Sequence, residues 1–131
     1  MISTRGRYAL RVMIDLAEQG GKGPVPLHAI AERQEMSKKY LEILVHDLVE
    51  GGLVKGASGR GGGYRLCRPP EEITVLEVLE IMEGSMATVA CLADGAEKCP
   101  RASCCKTLPM WNEYEQLTRS FFAGKRLSDF A

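Results

Sequence analysis

Residues 27–68, LHAIAERQEMSKKYLEILVHDLVEGGLVKGASGRGGGYRLCR, change period twice, and those two changes decide the fold. LHAIAERQ reads as a short helix that buries Leu27, Ile30 and Ala31. A turn follows at QEM. Ser37 is placed to cap a second, longer helix, with Met36 before it and Leu41 inside it able to form a hydrophobic staple. The buried stripe of that helix is Leu41, Leu44, Val45 and Leu48, which leaves Lys38, Lys39, Glu42, His46 and Glu50 on or near the solvated side. Gly51-Gly52 stops it. LVK is then a short strand, GASGRGGG a loop too rich in glycine for regular structure, and YRLCR an alternating return strand closed by Pro69-Pro70.

The flanks continue the pattern. In YALRVMIDLAEQGG, Ala9, Val12, Met13, Leu16 and Ala17 share one helical face opposite Arg11, Asp15 and Glu18, and GPVP is a stiff connector to the next helix. ITVLEVLEIMEG restarts a helix after the hairpin, with Thr74 and Glu77 as a capping box, Ile73 and Val78 as a staple, and Val75, Val78, Leu79 and Met82 as the buried stripe. From Ser85 to about Lys106 no period is sustained. Met110, Tyr114, Leu117 and Phe121 then recur at helical spacing, with Trp111 and Phe122 alongside. The expected fold is mainly α with a small β-hairpin wing, the element order of a winged helix-turn-helix. Residues 1–70 form the reading domain in this division, and residues 71–131 hold a helix, a cysteine loop and a last helix.

In a winged helix-turn-helix the third helix enters the DNA major groove and the wing lies against the flanking backbone. Ser37, Lys38, Lys39 and Tyr40 then meet phosphates and base edges at a helix start, and Glu42 faces the same way, able to accept a hydrogen bond from a cytosine amino group. Arg60 is the tip of the wing, Gly61 and Gly62 let its backbone approach DNA closely, and Arg65 lies on the return strand. Ser3, Thr4, Arg5 and Arg7 form a polar, basic N-terminal arm. The charge balance agrees: residues 1–70 hold eleven Lys/Arg against seven Asp/Glu, and residues 71–131 hold six against ten, although the whole chain is neutral.

Other classes fit poorly. SGRGGGY lacks the Gly-Lys-Ser/Thr of a phosphate-binding loop, and Tyr64 stands where a dinucleotide motif needs its third glycine. The two histidines lie far in sequence from the cysteines, so no nucleophile and base are paired and no enzyme is expected. No apolar run reads as a signal peptide or a membrane span, which points to the cytoplasm and to reduced thiols. CLADGAEKCPRASCC, residues 91–105, holds Cys91, Cys99, Cys104 and Cys105, four of the five cysteines. A bond between the adjacent Cys104 and Cys105 would be strained. The Cys91-x7-Cys99-x5-Cys105 spacing lacks zinc knuckles and is compatible with an iron-sulfur cluster. Plain burial of small apolar side chains, a thiol redox switch and a zinc site stand beside that reading. A protein-interaction module with no DNA role is the alternative from another class.

The segments STRGRYALRVMIDLA, AIAERQEMSKKYLEILVHDLVEGGLV, GRGGGYRL and ITVLEVLEIMEG together resemble the Rrf-type bacterial transcription regulators over about residues 1–125. The resemblance implies a winged-helix DNA reader that acts as a repressor and a homodimer held by the last helix; the lack of an apolar span leaves no membrane partner expected. In the sensing members it also implies a cluster bound by three cysteines of the loop, reporting on cluster supply, oxidants or nitric oxide and changing DNA affinity. Here those ligands are Cys91, Cys99 and Cys105, with Cys104 as substitute or fourth ligand, and 2Fe-2S is favoured over 4Fe-4S. Three departures stand out. The first cysteine gap is longer than in the sensing members, and Leu108 occupies the place of their histidine ligand, while Arg7 occupies the place of an acidic alternative. The fourth ligand is left to Cys104, Asp94, a residue of a partner subunit or a small-molecule thiol.

Overall fold

Ser3 caps the first helix, six residues before the apolar stripe begins. In the computed structural model, which describes residues 2–131 apart from Thr88, Asp94, Ala96 and Lys98, α1 runs from Thr4 to Glu18. The Ser3 hydroxyl accepts the Gly6 amide, and the Glu83 carboxylate in turn accepts the Ser3 amide (2.9 Å) and hydroxyl (2.7 Å). A side chain from the second half of the chain thus holds the cap. The expected N-terminal arm is corrected: Ser3 is the cap, and Thr4, Arg5 and Arg7 are the first turn of α1.

The helix-turn-helix follows as α2 (Leu27–Gln34) and α3 (Lys38–Glu50). Of α2 only Ile30 is fully buried, with Leu27 and Ala31 packed partly against the core. In α3 the Ser37 hydroxyl accepts the Tyr40 amide at 3.1 Å, and Leu41, Leu44, Val45 and Leu48 are all buried, as the periodicity predicts. The hairpin is β1 (Val54–Ala57) with β2 (Gly63–Leu66), antiparallel, pairing Val54 with Leu66 and Lys55 with Arg65. The GPVP connector does more than span a gap. Val25 and Tyr64 exchange both backbone hydrogen bonds at 2.8 Å, so the wing is pinned to the stretch between α1 and α2. A Cβ on Gly63 would overlap the Val25 carbonyl, which is why glycine stands at that crossing.

Then come α4 (Val75–Glu83) and α5 (Leu108–Ala123). The Thr74–Glu77 capping box forms as expected, and Val75, Val78, Leu79 and Met82 are buried. Ile73, Val78 and Met82 share one core with Val12, Met13 and Ile30 of the first half. After α5 the chain turns back: the Val75 amide donates to Lys125 O (2.8 Å), the Leu127 amide donates to Ile73 O (3.0 Å), and Leu127 is fully buried. No helix among the described residues is long and apolar enough to cross a membrane.

Candidate nucleic-acid interface and cysteine loop

A reading helix works only if its angle is fixed, and three side chains of α1 fix it. Asp15 does not face solvent as its place opposite the apolar stripe suggests; it is 2% exposed. Arg33 donates to it through Nε (2.9 Å) and Nη2 (2.8 Å), and Gln34 Nε2 donates at 3.0 Å. The Asp15 carboxylate holds the Arg33 proton more tightly than usual. The physical reason for the burial is α2, whose last turn brings a guanidinium over this face. Arg11 donates to the Gln34 side chain and to its backbone carbonyl, so the C-terminus of α2 is held by two α1 residues. Tyr8 meets Tyr40 edge-to-face at 5.7 Å between centroids, which ties the start of α3 to the same helix. Tyr40, expected at the DNA surface, is therefore half-buried in this contact.

Beyond this clamp lies the exposed surface. Ser37, Lys38, Lys39 and Glu42 are exposed along the start of α3, and His46 follows with Nδ1 3.5 Å from Asp47 and Nε2 3.8 Å from Glu50. Arg5 forms an ion pair with Asp47, so the first turn of α1 and the last turn of α3 meet at one place. Ile43 is exposed on the same helix. Arg60 and Gly61 are exposed at the wing tip, where Gly61 takes φ +71°, a conformation that side chains disfavour. The Gly62 amide donates to Gly59 O at 3.0 Å, which makes the tip a defined turn. Arg65 is exposed, and Lys55 directly across from it is exposed as well. Sequence reasoning passed over Lys55. Its signal was the strand alternation, which puts it on the face of its cross-strand partner, and two like charges so placed repel until an anion lies between them.

The cysteine loop leads into α5. All five cysteines are free; Cys91 and Cys104 are exposed, and Cys99 and Cys105 half-buried. The Cys105 Sγ lies 3.6 Å from Thr107 Oγ1, and its thiol is pulled below the ordinary range by that hydroxyl, then by the amides of Thr107 and Leu108 and by the Arg101 charge. Cysteine sulfur is the ligand that an iron-sulfur cluster ordinarily uses, so the residue types of this loop fit that group. Among the described residues no three ligating side chains converge on one point, and the Asp94 alternative lies outside the described residues. Leu108 opens α5 and carries no donor atom.

Comparison with known proteins bears on both parts. Residues 2–131 match the Rrf2 family model, described as an iron-dependent transcriptional regulator. The chain is 38% identical over 128 residues to the HTH-type transcriptional regulator IscR of Aliivibrio salmonicida, covering 98% of this chain and 75% of that protein. Among solved structures it is similar to CymR, the global cysteine regulator of B. subtilis, with TM-score 0.81, 35% identity, and 100% of this chain and 95% of that one covered. It is also similar to T. potens IscR, with TM-score 0.78, 34% identity, and 99% and 85% covered.

Proposed function

The chain belongs to the Rrf2 family and is a DNA-binding transcriptional regulator, not an enzyme; from that premise we propose that it is a homodimeric repressor whose operator affinity is set by an iron-sulfur cluster. The observation that carries the cluster is the loop of four thiols ahead of α5. Cys91, Cys99 and Cys105 would hold it, with Cys104 as substitute or fourth ligand, in a 2Fe-2S form in preference to 4Fe-4S. A bound cluster supplies a redox-active and oxidant-labile centre. To hold it, the loop must draw these thiols to one point, which changes the approach of the chain to Leu108 and α5. In this reading residues 1–70 contact DNA through Ser3, Thr4, Arg5, Arg7, Ser37, Lys38, Lys39, Tyr40, Glu42, Arg60, Gly61, Gly62 and Arg65, and residues 71–131 sense and dimerise.

Anaerobic reconstitution tests this, followed by a visible spectrum and iron and sulfide analysis. A coloured protein that loses its colour on Cys105→Ser supports the reading; a colourless protein overturns the cluster. The likeness to a cysteine regulator favours a second reading, in which the loop cysteines act as a thiol redox switch or take zinc. Intact mass under oxidising and reducing conditions, with zinc content, separates the two.

A further inference from the structure

Ile43 is an aliphatic side chain standing in a polar setting. It lies on the side of α3 away from Leu41, Leu44, Val45 and Leu48 and is 50% exposed. One turn before it is Lys39, one turn after it are His46 and Asp47, and beside it is Glu42; together these line a shallow depression on the helix. Arg5 offsets the Asp47 charge. Glu42 has no ion-pair partner among the described residues, and the lysines at the start of the helix are exposed.

A protein partner is a poor match for such a surface. An interface between proteins needs about 800 Å² from each side with an apolar centre, and one isoleucine ringed by charges does not provide that. The DNA major groove matches group by group. Phosphates meet the lysines, base edges meet Glu42 and His46, and the C5-methyl of thymine is the groove's one apolar feature. We propose that Ile43 is a specificity-determining residue that packs against the C5-methyl group of a thymine in the operator. The inference rests on the DNA-reading role given above and adds the base that one position of α3 selects.

The test replaces one methyl group at a time. Purified protein selects an operator from a pool of random duplexes, and each thymine of that operator is then exchanged singly for deoxyuridine, which keeps every hydrogen-bonding group and lacks only the methyl. Losing one methyl contact weakens wild-type binding about fourfold at one thymine, or at its symmetry mate, and leaves the others unchanged. Ile43→Ala binds the thymine operator less tightly by a similar factor and no longer distinguishes deoxyuridine from thymine there. Ile43→Val keeps part of the discrimination, and an unchanged melting temperature in both variants confirms their folding. Wild-type protein indifferent to every exchange, or an equal penalty in wild type and Ile43→Ala, overturns the inference while DNA binding stands. Failure to recover any salt-sensitive operator overturns the inference and the DNA-reading role together.

Discussion

Asp15 shows how a single residue can govern the reading helix without touching DNA. Burying a carboxylate costs several kcal/mol unless its oxygens are satisfied, and here three donors from Arg33 and Gln34 satisfy them. The result is a fixed end for α2, just before Glu35 enters the left-handed region at φ 52° to make the turn into α3. Asp15→Ala strips the partner from Arg33, and because that guanidinium keeps some water contact the loss should be about 2–3 kcal/mol, below the range for fully buried pairs. Urea denaturation measures it. Asp15→Asn should lose less, since its one amide oxygen still accepts, and both variants should bind operator more weakly as the turn loosens. Asp15 was not legible from the chain, because a wheel of α1 alone places it opposite the apolar stripe. Its burial depends on an arginine eighteen residues away.

At the scale of an element, α4 carries its own start signal. The Thr74 hydroxyl accepts the Glu77 amide at 3.1 Å and Glu77 accepts the Thr74 amide at 2.9 Å. Arg68 adds a 2.6 Å ion pair that ties the base of the wing to the same helix. Partial burial pushes the Glu77 carboxyl up, but the Thr74 amide and the Arg68 guanidinium together outweigh it and hold it below the ordinary value. A carboxyl that binds its proton less readily folded than unfolded stabilises the fold above the ordinary carboxylate range, and the contribution disappears as pH falls through the folded value. Glu77→Gln should therefore lower stability at pH 7 and approach wild type in acid, once the pH has fallen below the folded value. Exposure of both partners keeps the difference under about 1 kcal/mol, and urea midpoints at the two pH values resolve it. Local signals of this kind made the elements legible. The cap at Ser37, the Thr74–Glu77 box and the stripes of α3 and α4 all lie within a few residues of what they control. Contacts between distant segments were not legible: Glu83 capping α1, Val25 pairing with Tyr64, and Leu127 returning to Ile73 each join segments whose separate patterns give no hint of the other. The same division holds at the candidate site, where Lys38, Arg60 and the cysteine spacing can be read along the chain and the Arg5–Asp47 and Lys55–Arg65 juxtapositions cannot.

The whole molecule leaves one helix face without cover. No residue of α5 is fully buried, yet Met110, Tyr114, Leu117 and Phe121 recur every three or four positions and are all more than half exposed. Near the end of the helix the apolar surface continues into a depression lined by Leu10, Ile14, Phe122 and Phe130. An apolar stripe of this length on one chain costs free energy in water, and a second copy of the same stripe is self-complementary about a two-fold axis. Leu117→Glu combined with Phe121→Glu should thus give a folded monomer, since neither side chain supports the core of its own chain. Light scattering after size exclusion reads the mass, and circular dichroism confirms the helices. In the proposed dimer two reading heads joined at α5 would meet two half-sites, the second at high effective concentration, so the monomer should bind the full operator at least 100-fold more weakly while a single half-site is little affected. The cysteine loop enters this argument because Cys105 lies three residues before Leu108, the first residue of α5. If the proposed cluster acts by displacing the start of α5, and α5 joins the two heads, the double variant should also bind DNA equally well with the cysteines loaded or empty.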